Sequence, residues 1–284
     1  VLGGCAYYCS MVYKLLGADV TIITNIGTDF KFLNEFRNIK ILYTKAGLTT
    51  TFINSYKKEG SRIQQCVAEC SPITLNDFKQ KLSNYDLIHL APVLDEINLE
   101  EWQNLEISKY ICVGIQGWLK KINQDNTIYP RRWTDKIHSL KSIDVAFMSH
   151  EDLISNQDFL ETCINTIPIV VKTKGENGCD IHTPNKKITL EAFDAECIDP
   201  TGAGDSFSAA FMNEFITGKP IVECGKTASA VASLVIEAFG GRAFKKAFNY
   251  KERIKEVKSY NDLKQSNNDL EFDSRLELQN HSLD

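Results

Sequence analysis

The sequence predicts an α/β fold in which a central, mostly parallel sheet carries helices on both faces and a small β-sheet lid. From about residue 86 onward, short β-type runs alternate with helical segments, and this alternation is typical of βαβ units that build a parallel sheet. Between residues 41 and 68, three β-rich runs are separated by Gly47 and by Glu59-Gly60, which predicts a short antiparallel meander. Ligands of parallel sheets bind beyond the carboxyl ends of the strands, so we expect the functional site there.

The first 70 residues predict one helix, one strand and the lid. Apolar residues recur at helical spacing over residues 6–16, and Gly17 is suited to end that helix. A buried strand is expected over residues 20–24, followed by a turn at Gly27-Thr28-Asp29. The lid strands are expected over residues 41–44, 49–56 and 62–68.

The rest of the chain predicts strands in alternation with helices. The expected strands cover residues 86–92, 110–115, 145–148 and 169–172. The expected helices cover residues 99–105, 130–139, 205–216 and 222–239, and a further helix lies within 151–165. Right-handed crossovers would distribute these helices over the sheet.

Composition argues against several classes of protein. The 284 residues include 32 Lys and Arg against 37 Asp and Glu, a net charge of −5, which argues against a nucleic-acid partner because phosphate contacts need a basic face. No run approaches the roughly 18 apolar residues of a membrane span, so we expect no membrane partner. The nine cysteines are scattered without zinc-site spacing, which indicates reduced thiols and a cytoplasmic location.

The strongest chemical signal is the segment Asp199-Pro200-Thr201-Gly202-Ala203-Gly204-Asp205-Ser206-Phe207. It opens an apolar helix, and its two glycines let backbone N–H groups point at one spot without a Cβ in the way. The field of a helix N-terminus favours an anion there, and Asp205 can accept a proton from an attacking hydroxyl. The same residues also fit an ordinary capped helix behind a Gly-rich turn, so residue chemistry alone leaves both interpretations open.

This segment resembles the second signature of the ribokinase-like (PfkB-type) carbohydrate kinase family. Four more segments resemble family motifs in the same order: Gly3-Gly4, Asn25-Ile26-Gly27-Thr28-Asp29, Thr173-Lys174-Gly175-Glu176-Asn177-Gly178, and the helix 227–239 with Gly240-Gly241. The resemblance runs from about residue 2 to residue 241. The stretch Gln116-Gly117-Trp118-Leu119 resembles a sugar- and inositol-kinase-like branch of the family.

The resemblance implies transfer of the γ-phosphoryl group of ATP to a hydroxyl of a small sugar or cyclitol. Asp205 would be the general base, and the backbone of Gly202, Ala203 and Gly204 would form the anion hole. Mg²⁺ would bridge the phosphates mostly through water, and the lid would close over the sugar and exclude water. The implied nucleotide-binding residues are Thr173, Gly175, Gly178, Thr201 and Gly240, and the implied substrate-binding residues are Gly3, Gly4, Tyr8 and Gln116.

Two departures from the family pattern bear on substrate and metal. Many members carry an Asn shortly after the di-glycine, where this chain has Tyr7 and Tyr8, and an aromatic there disfavours ribose as the substrate. The family's Asn-x-x-Glu element near Mg²⁺ is replaced by Ser149-His150-Glu151-Asp152. Asp152 or Glu151 is therefore expected to supply the indirect metal contact.

A third departure concerns the ends of the kinase domain. The family's first strand, with an Asp that binds substrate hydroxyls, would precede Val1, and we expect further N-terminal residues before it. We assign residues 1–262 to the kinase domain. Residues 263–284 are polar with sparse apolar residues, which predicts a disordered tail.

Two alternatives to a sugar or cyclitol kinase stay open at this point. A nucleoside kinase would place Tyr7 or Tyr8 against the base. A non-catalytic relic of the fold that binds a ligand or partner is favoured by the altered residues 149–152 and opposed by the intact segment 199–205. The exposed edges of a lid sheet can pair between subunits, which would give a homodimer through the lid, and the sequence leaves the oligomeric state open.

Overall fold

The computed structural model describes residues 1–56, 62–74, 78, 82, 85–101, 108–133, 137–245 and 249–255. The helices in these ranges include α1 (Cys5–Leu15), α2 (Gln157–Thr166), α3 (Ala203–Ile216) and α4 (Ile221–Ile236), and residues 250–255 are also helical. The strands are β1 (Thr21–Gly27), β2 (Lys40–Ala46), β3 (Thr51–Tyr56), β4 (Arg62–Ala68), β5 (Tyr85–Leu90), β6 (Ser108–Gly114), β7 (Lys120–Ile122), β8 (Ile128–Pro130), β9 (Val145–Ser149), β10 (Ile169–Thr173), β11 (Cys179–His182) and β12 (Lys187–Leu190). The predicted tail, residues 263–284, lies outside the described residues.

The central sheet has six strands in the order β12-β11-β10-β9-β6-β5. Strands β5, β6, β9 and β10 run parallel to one another, and β11 and β12 add an antiparallel edge. Val145–Met148 of β9 are all buried, because a strand in the middle of a covered parallel sheet has no solvent-facing side. The predicted central, mostly parallel sheet is therefore confirmed.

Helices cover both faces of this sheet, as predicted. Alternate residues of β9 enter different cores: Val145 and Phe147 pack with α1, α3 and α4, whereas Ala146 and Met148 pack with α2. This division follows from the period of two along a strand. None of the helices within the described ranges has the length and apolar character needed to cross a membrane.

The predicted meander over residues 41–68 is wrong in its first run. Strand β2 pairs in parallel with β1, and only β3 and β4 form an antiparallel pair. The connection from β1 to β2 contains the short 3-10 helix Leu33–Phe36, which allows a parallel return. The buried side chains of Phe36 and Ile39 anchor this connection in a core with Tyr7 and Tyr8.

Two predicted helices differ from the structure. Pro130 ends the β7–β8 hairpin, and a 3-10 helix follows only at Ile137–Ser142, so the helix predicted over 130–139 is wrong over its described part. Within the helix predicted over 99–105, Leu99–Glu101 form a 3-10 turn, and the remaining residues lie outside the described ranges. The helix expected within 151–165 begins at Gln157.

A cavity of about 120 Å³ lies between the two sheets that contain β1 and β5. Strand β1 contributes Thr21 and Ile23 to its lining, and β5 contributes Tyr85, Leu87 and His89. Strand β5 is the last strand of the six-stranded sheet, and β1 pairs with β2 in a separate sheet. The two strands therefore face one groove without pairing with each other.

Candidate active site

The predicted catalytic segment forms the start of α3. Gly202 is the residue before the helix and has a left-handed backbone, with φ of 82°. A Cβ at Gly202 would overlap the ring of Tyr8, so both its conformation and its packing require glycine. Asp205 lies in the first turn of α3 and is half-buried.

The two tyrosines after the di-glycine support this segment from behind. Tyr8 is 1% exposed, and its ring faces the backbone of Gly202. Tyr7 is 3% exposed, and its ring and hydroxyl lie where a Cβ of Gly241 would be. The structure therefore places Tyr8, predicted to bind substrate, in the core against the anion-hole segment.

The N–H groups at the start of α3 are unequally available. The Ala203 N–H donates to the Pro200 carbonyl at 3.2 Å, and the Ser206 N–H donates to the Gly202 carbonyl at 2.9 Å. Ala203 is thus a weaker anion-hole candidate than the sequence suggests, because its N–H already has an acceptor. Gly204 is exposed, and nothing lies within 4 Å of a Cβ placed on it, so this side of the turn is open to a ligand.

Asp205 is surrounded by groups that act on its charge. The Gln116 Nε2 atom lies 3.4 Å from the Asp205 Oδ1 atom, and the Lys120 ammonium donates to the Gln116 Oε1 atom at 3.2 Å. Burial raises the pKa of Asp205, the hydrogen bond from Cys5 and the charge of Lys120 lower it, and the charge of Asp152 raises it. The net rise in the pKa of Asp205 suits a general base, which works best with a pKa near the working pH.

The predicted substrate residues Gly3 and Gly4 immediately precede α1. Both are exposed, and a Cβ added to either one would have open space around it to at least 4 Å. Gly4 precedes the helix with φ of 86° and ψ of 161°. Cys5, the first residue of α1, then contacts Gln116, whose Nε2 atom lies 3.2 Å from its Sγ atom. The structure thus brings Gln116 and Asp205 together with Cys5, the residue that follows Gly4.

The predicted nucleotide turn follows β10. The Thr173 hydroxyl donates to the Met148 carbonyl at 3.4 Å. Gly175 has open space where a side chain would begin, whereas a Cβ at Gly178 would overlap the Leu190 carbonyl. Gly175 therefore leaves room for a ligand, while Gly178 is required by the close approach of β12.

A buried carboxylate holds the lysine of this turn. The Lys174 ammonium lies 2.7 Å from Asp180 Oδ1 and the Lys187 ammonium 3.0 Å from Asp180 Oδ2, and the Thr189 hydroxyl also donates to Oδ1 at 2.9 Å. Burial alone would raise the pKa of Asp180, but these partners hold it well below its usual range. Lys174 is thereby fixed beside the turn.

Asp199 joins the two glycine segments that flank α3 and α4. Its Oδ1 atom accepts from the Thr201 N–H at 3.0 Å, and its Oδ2 atom accepts from the Gly240 N–H at 2.9 Å. Burial opposes ionisation, but the hydrogen bonds from Thr201 and Gly240 lower the pKa of Asp199. Thr201 and Gly240, both predicted to bind nucleotide, are therefore held at a fixed separation.

The predicted metal residues follow β9. The Ser149 N–H and hydroxyl both donate to Asp152 Oδ2, at 2.9 and 2.7 Å, while Glu151 is exposed. Within the described ranges, no group of three or more His, Cys, Asp or Glu side chains could hold a metal ion. A single carboxylate fits Mg²⁺ bound chiefly by water and substrate phosphates.

The Gly-x-Asp turn after β1 holds the segment that leads into β3. The Asp29 Oδ1 atom accepts from the Thr49 N–H at 2.8 Å and from its hydroxyl at 2.9 Å. The Gly27 N–H donates to the same hydroxyl at 3.1 Å, and a Cβ at Gly27 would overlap Thr49. Sequence reasoning found the motif but missed Thr49, and it also missed Cys5 and Lys120.

Comparison with known proteins identifies the family. Residues 1–247 match the family described as pfkB family carbohydrate kinase, and the chain therefore belongs to this family of phosphotransferases with an alcohol acceptor, as its motifs predict.

Three relatives illustrate the range of the family. A nucleoside kinase of Methanocaldococcus jannaschii is 40% identical over 84% of this chain and 80% of its own length. An uncharacterized sugar kinase of Archaeoglobus fulgidus is 31% identical over 56% of this chain and 64% of its own length, so that match spans under two thirds of the relative. An inositol 3-kinase of Arabidopsis thaliana is 24% identical over 86% of this chain and 69% of its own length.

Solved structures share the fold at low sequence identity. A pyrophosphate-dependent kinase in the ribokinase family has a TM-score of 0.73 at 19% identity, covering 84% of this chain and 89% of its own. The nucleoside kinase of M. jannaschii has a TM-score of 0.66 at 20% identity, covering 89% and 86%. The predicted ribokinase-like fold is therefore confirmed.

Proposed function

We propose that this chain is an ATP-dependent kinase that phosphorylates a hydroxyl of a small sugar or cyclitol, with Asp205 as the general base. The observation that carries this proposal is the position of Asp205. It lies half-buried in the first turn of α3, next to the open side of Gly204 and within reach of Gln116. A base and an anion site side by side are what phosphoryl transfer to an alcohol requires.

In this mechanism the acceptor hydroxyl gives its proton to Asp205 as its oxygen attacks the γ-phosphorus. The bond from the γ-phosphorus to the β–γ bridging oxygen breaks, and ADP leaves. Charge on the transferring group is stabilised by the positive end of α3 and by the N–H groups of Gly202 and Gly204. Bound Mg²⁺ would neutralise phosphate charge, with Asp152 as the residue placed to hold its water shell.

The donor side is assigned to the segments that surround the two glycine turns. Gly175 leaves open space beside Thr173, and the Asp199 carboxylate holds Thr201 and Gly240 together. ATP is the proposed donor. Pyrophosphate is included as a donor in the test because a structural neighbour is described as pyrophosphate-dependent.

A nucleoside is the second candidate acceptor. It is favoured by the M. jannaschii relative, which is named a nucleoside kinase and is 40% identical. Within this chain the aromatic support for it is weak, because Tyr7 and Tyr8 are buried and pack against Gly241 and Gly202. The sugar or cyclitol proposal is supported by the relatives named sugar kinase and inositol 3-kinase.

The test is release of ADP or phosphate by purified protein with Mg²⁺ and either donor, across sugars, inositols and nucleosides. Turnover with one sugar or cyclitol would support the proposal, and turnover only with a nucleoside would select the alternative. ATP binding without turnover on any acceptor would instead support a ligand-binding relic.

The kinase domain is proposed to cover residues 1–262. A further strand is proposed to fit the groove between β1 and β5. Both strands line this groove without pairing with each other, and α1 leads into β1, as the helix of a right-handed βαβ unit does. A strand placed in this groove would lie between β1 and β5 and could pair with both.

Self-association and location complete the proposal. Ile53 of β3 and Ile63 and Val67 of β4 are 41–52% exposed, so this hairpin offers apolar side chains that a second copy would cover. Sedimentation of wild type and Ile53→Lys tests this dimer, which the charge should dissociate.

The nine free cysteines support the proposed cytoplasmic location.

A further inference from the structure

Cys5 stands between the substrate-side helix and the proposed base. It is the first residue of α1 and is 3% exposed. The Gln116 Nε2 atom lies 3.2 Å from its Sγ atom and 3.4 Å from Asp205 Oδ1, so this amide bridges the thiol and the carboxylate. Cys5, Gln116 and Asp205 thus form a cluster of three side chains joined through the Gln116 amide.

We propose that Cys5 is a positioning residue for the reaction: its thiol donates to the Asp205 carboxylate and, with Gln116, aims that carboxylate at the acceptor hydroxyl. The inference rests on the proposed function of Asp205. It assigns Cys5 no contact with substrate and no covalent chemistry.

The cluster depends on how α1 begins. Gly4, with φ of 86°, turns the chain so that its next residue starts the helix beside Asp205. The neutral thiol is the form that can donate. Burial, and then the charge of Asp205, raise the pKa of Cys5 well above its ordinary value, so the thiol keeps its proton at neutral pH.

A second cysteine fixes the backbone of the same residue. One turn along α1, the Cys9 Sγ atom lies 3.4 Å from the Asp205 carbonyl oxygen. Cys9 is 7% exposed. Cys9 therefore contacts the main chain of Asp205, and Cys5 is linked to its carboxylate through Gln116, which ties the helix of the di-glycine to the first turn of α3.

The titratable and charged groups near this cluster determine the direction in which the pKa of Asp205 should change when the Cys5 thiol is removed. On α1 they are Cys5 and Cys9. The charges acting on Asp205 or Cys5 from other segments are Lys120, Asp152 and Glu96. The bond from Cys5 and the charge of Lys120 lower the pKa of Asp205, against burial and Asp152. Removing the thiol should therefore raise the pKa of Asp205 and leave less carboxylate at a given acidic pH.

The deciding experiment is a pH titration of the Asp205 carboxyl carbon in the full chain labelled with ¹³C-aspartate, with Asp205→Asn to identify the signal. We expect Cys5→Ala to move the midpoint to higher pH and Cys5→Ser, which keeps a donor, to stay near wild type. Cys163→Ala is the matched control, because Cys163 is a fully buried cysteine of α2 in the other core. An unchanged midpoint in Cys5→Ala, or an equal rise in Cys5→Ser and Cys5→Ala, would overturn the proposal.

A kinetic arm applies once an acceptor is known. Cys5→Ala should lower kcat/KM on the acid limb of the pH profile by roughly three- to tenfold, since a thiol is a weak donor, and should leave the KM for ATP unchanged. The titration needs no turnover. Failure of the proposed function would appear as an inactive wild type, whereas failure of the Cys5 inference would appear as an unmoved Asp205 midpoint.

Discussion

The ring of Tyr8 lies against the backbone of Gly202, the left-handed residue that precedes helix α3. The two residues are 194 positions apart in the chain, yet Tyr8 belongs to the helix that follows the di-glycine and Gly202 belongs to the proposed anion hole. The contact therefore joins helix α1 to the start of α3, the two segments that we propose to bind the acceptor and the phosphoryl group, through the core.

This contact predicts that Gly202→Ala destabilises the fold. Alanine at this position would have to keep an unfavourable left-handed backbone, and its Cβ would overlap the Tyr8 ring. The expected loss in the free energy of unfolding is about 1–3 kcal/mol or more. Gly218→Ala is the matched control, because Gly218 also has a positive φ, 79°, but nothing within 4 Å of an added Cβ. Thermal unfolding should show the larger loss for Gly202→Ala, and equal losses would contradict the role of Tyr8.

Gly204 should respond in the opposite way. A Cβ added to Gly204 would have no atom within 4 Å, so Gly204→Val should leave the melting temperature near that of wild type. The new side chain should nevertheless block the proposed phosphate position and abolish transfer. Gly204→Ala should give an intermediate activity. If Gly204→Val turns over like wild type in the coupled ADP assay, the transferring phosphoryl group binds elsewhere.

The hydrogen bonds between Asp29 and Thr49, called the Asp29–Thr49 clamp below, hold the segment that leads into β3. Their loss is expected to weaken binding of the acceptor. Asp29→Ala removes the acceptor for two Thr49 donors and should raise the KM for the acceptor several-fold with a smaller change in kcat. Thr49→Val removes only the hydroxyl donor and should change KM in the same direction by less, and the effect of the double variant should be smaller than the sum of the two single effects, because both changes disrupt one contact. Additive effects would contradict the clamp, and Asp158→Ala, a surface variant, controls for loss of charge.

Asp199 predicts a pH-dependent loss of stability. Its hydrogen bonds lower the folded-state pKa below that of an unfolded Asp. The stabilisation is therefore complete above the unfolded pKa and disappears as pH falls through the folded pKa. Asp199→Ala should lower Tm by roughly 5 °C at neutral pH, and the gap from wild type should close in acid. A gap that is constant with pH would contradict this assignment.

Local patterns in the sequence identify most elements but fewer of their partners. Residues 145–148 and 169–172 are short, largely apolar runs that favour buried strands, and both lie in the central sheet. The run over residues 41–44 is equally compatible with a meander or with pairing to β1, since its pairing partner is decided by tertiary packing. Pro130 fits the end of a hairpin strand as well as the start of a helix.

The candidate site shows the same division. The segment around Asp205 can be predicted from the sequence because its glycines and its carboxylate lie close together in the chain. The cluster of Cys5, Gln116 and Asp205 cannot be predicted from the sequence, because its members are separated by 111 and 89 residues. A single cysteine also has no sequence pattern that indicates a neighbouring carboxylate.

The most direct test of the central claim compares wild type with Asp205→Asn for phosphoryl transfer to the best acceptor, with ATP affinity measured by calorimetry. If Asp205 is the base, transfer should fall by at least about 100-fold while ATP affinity stays near that of wild type. Equal turnover in the two proteins would contradict the account.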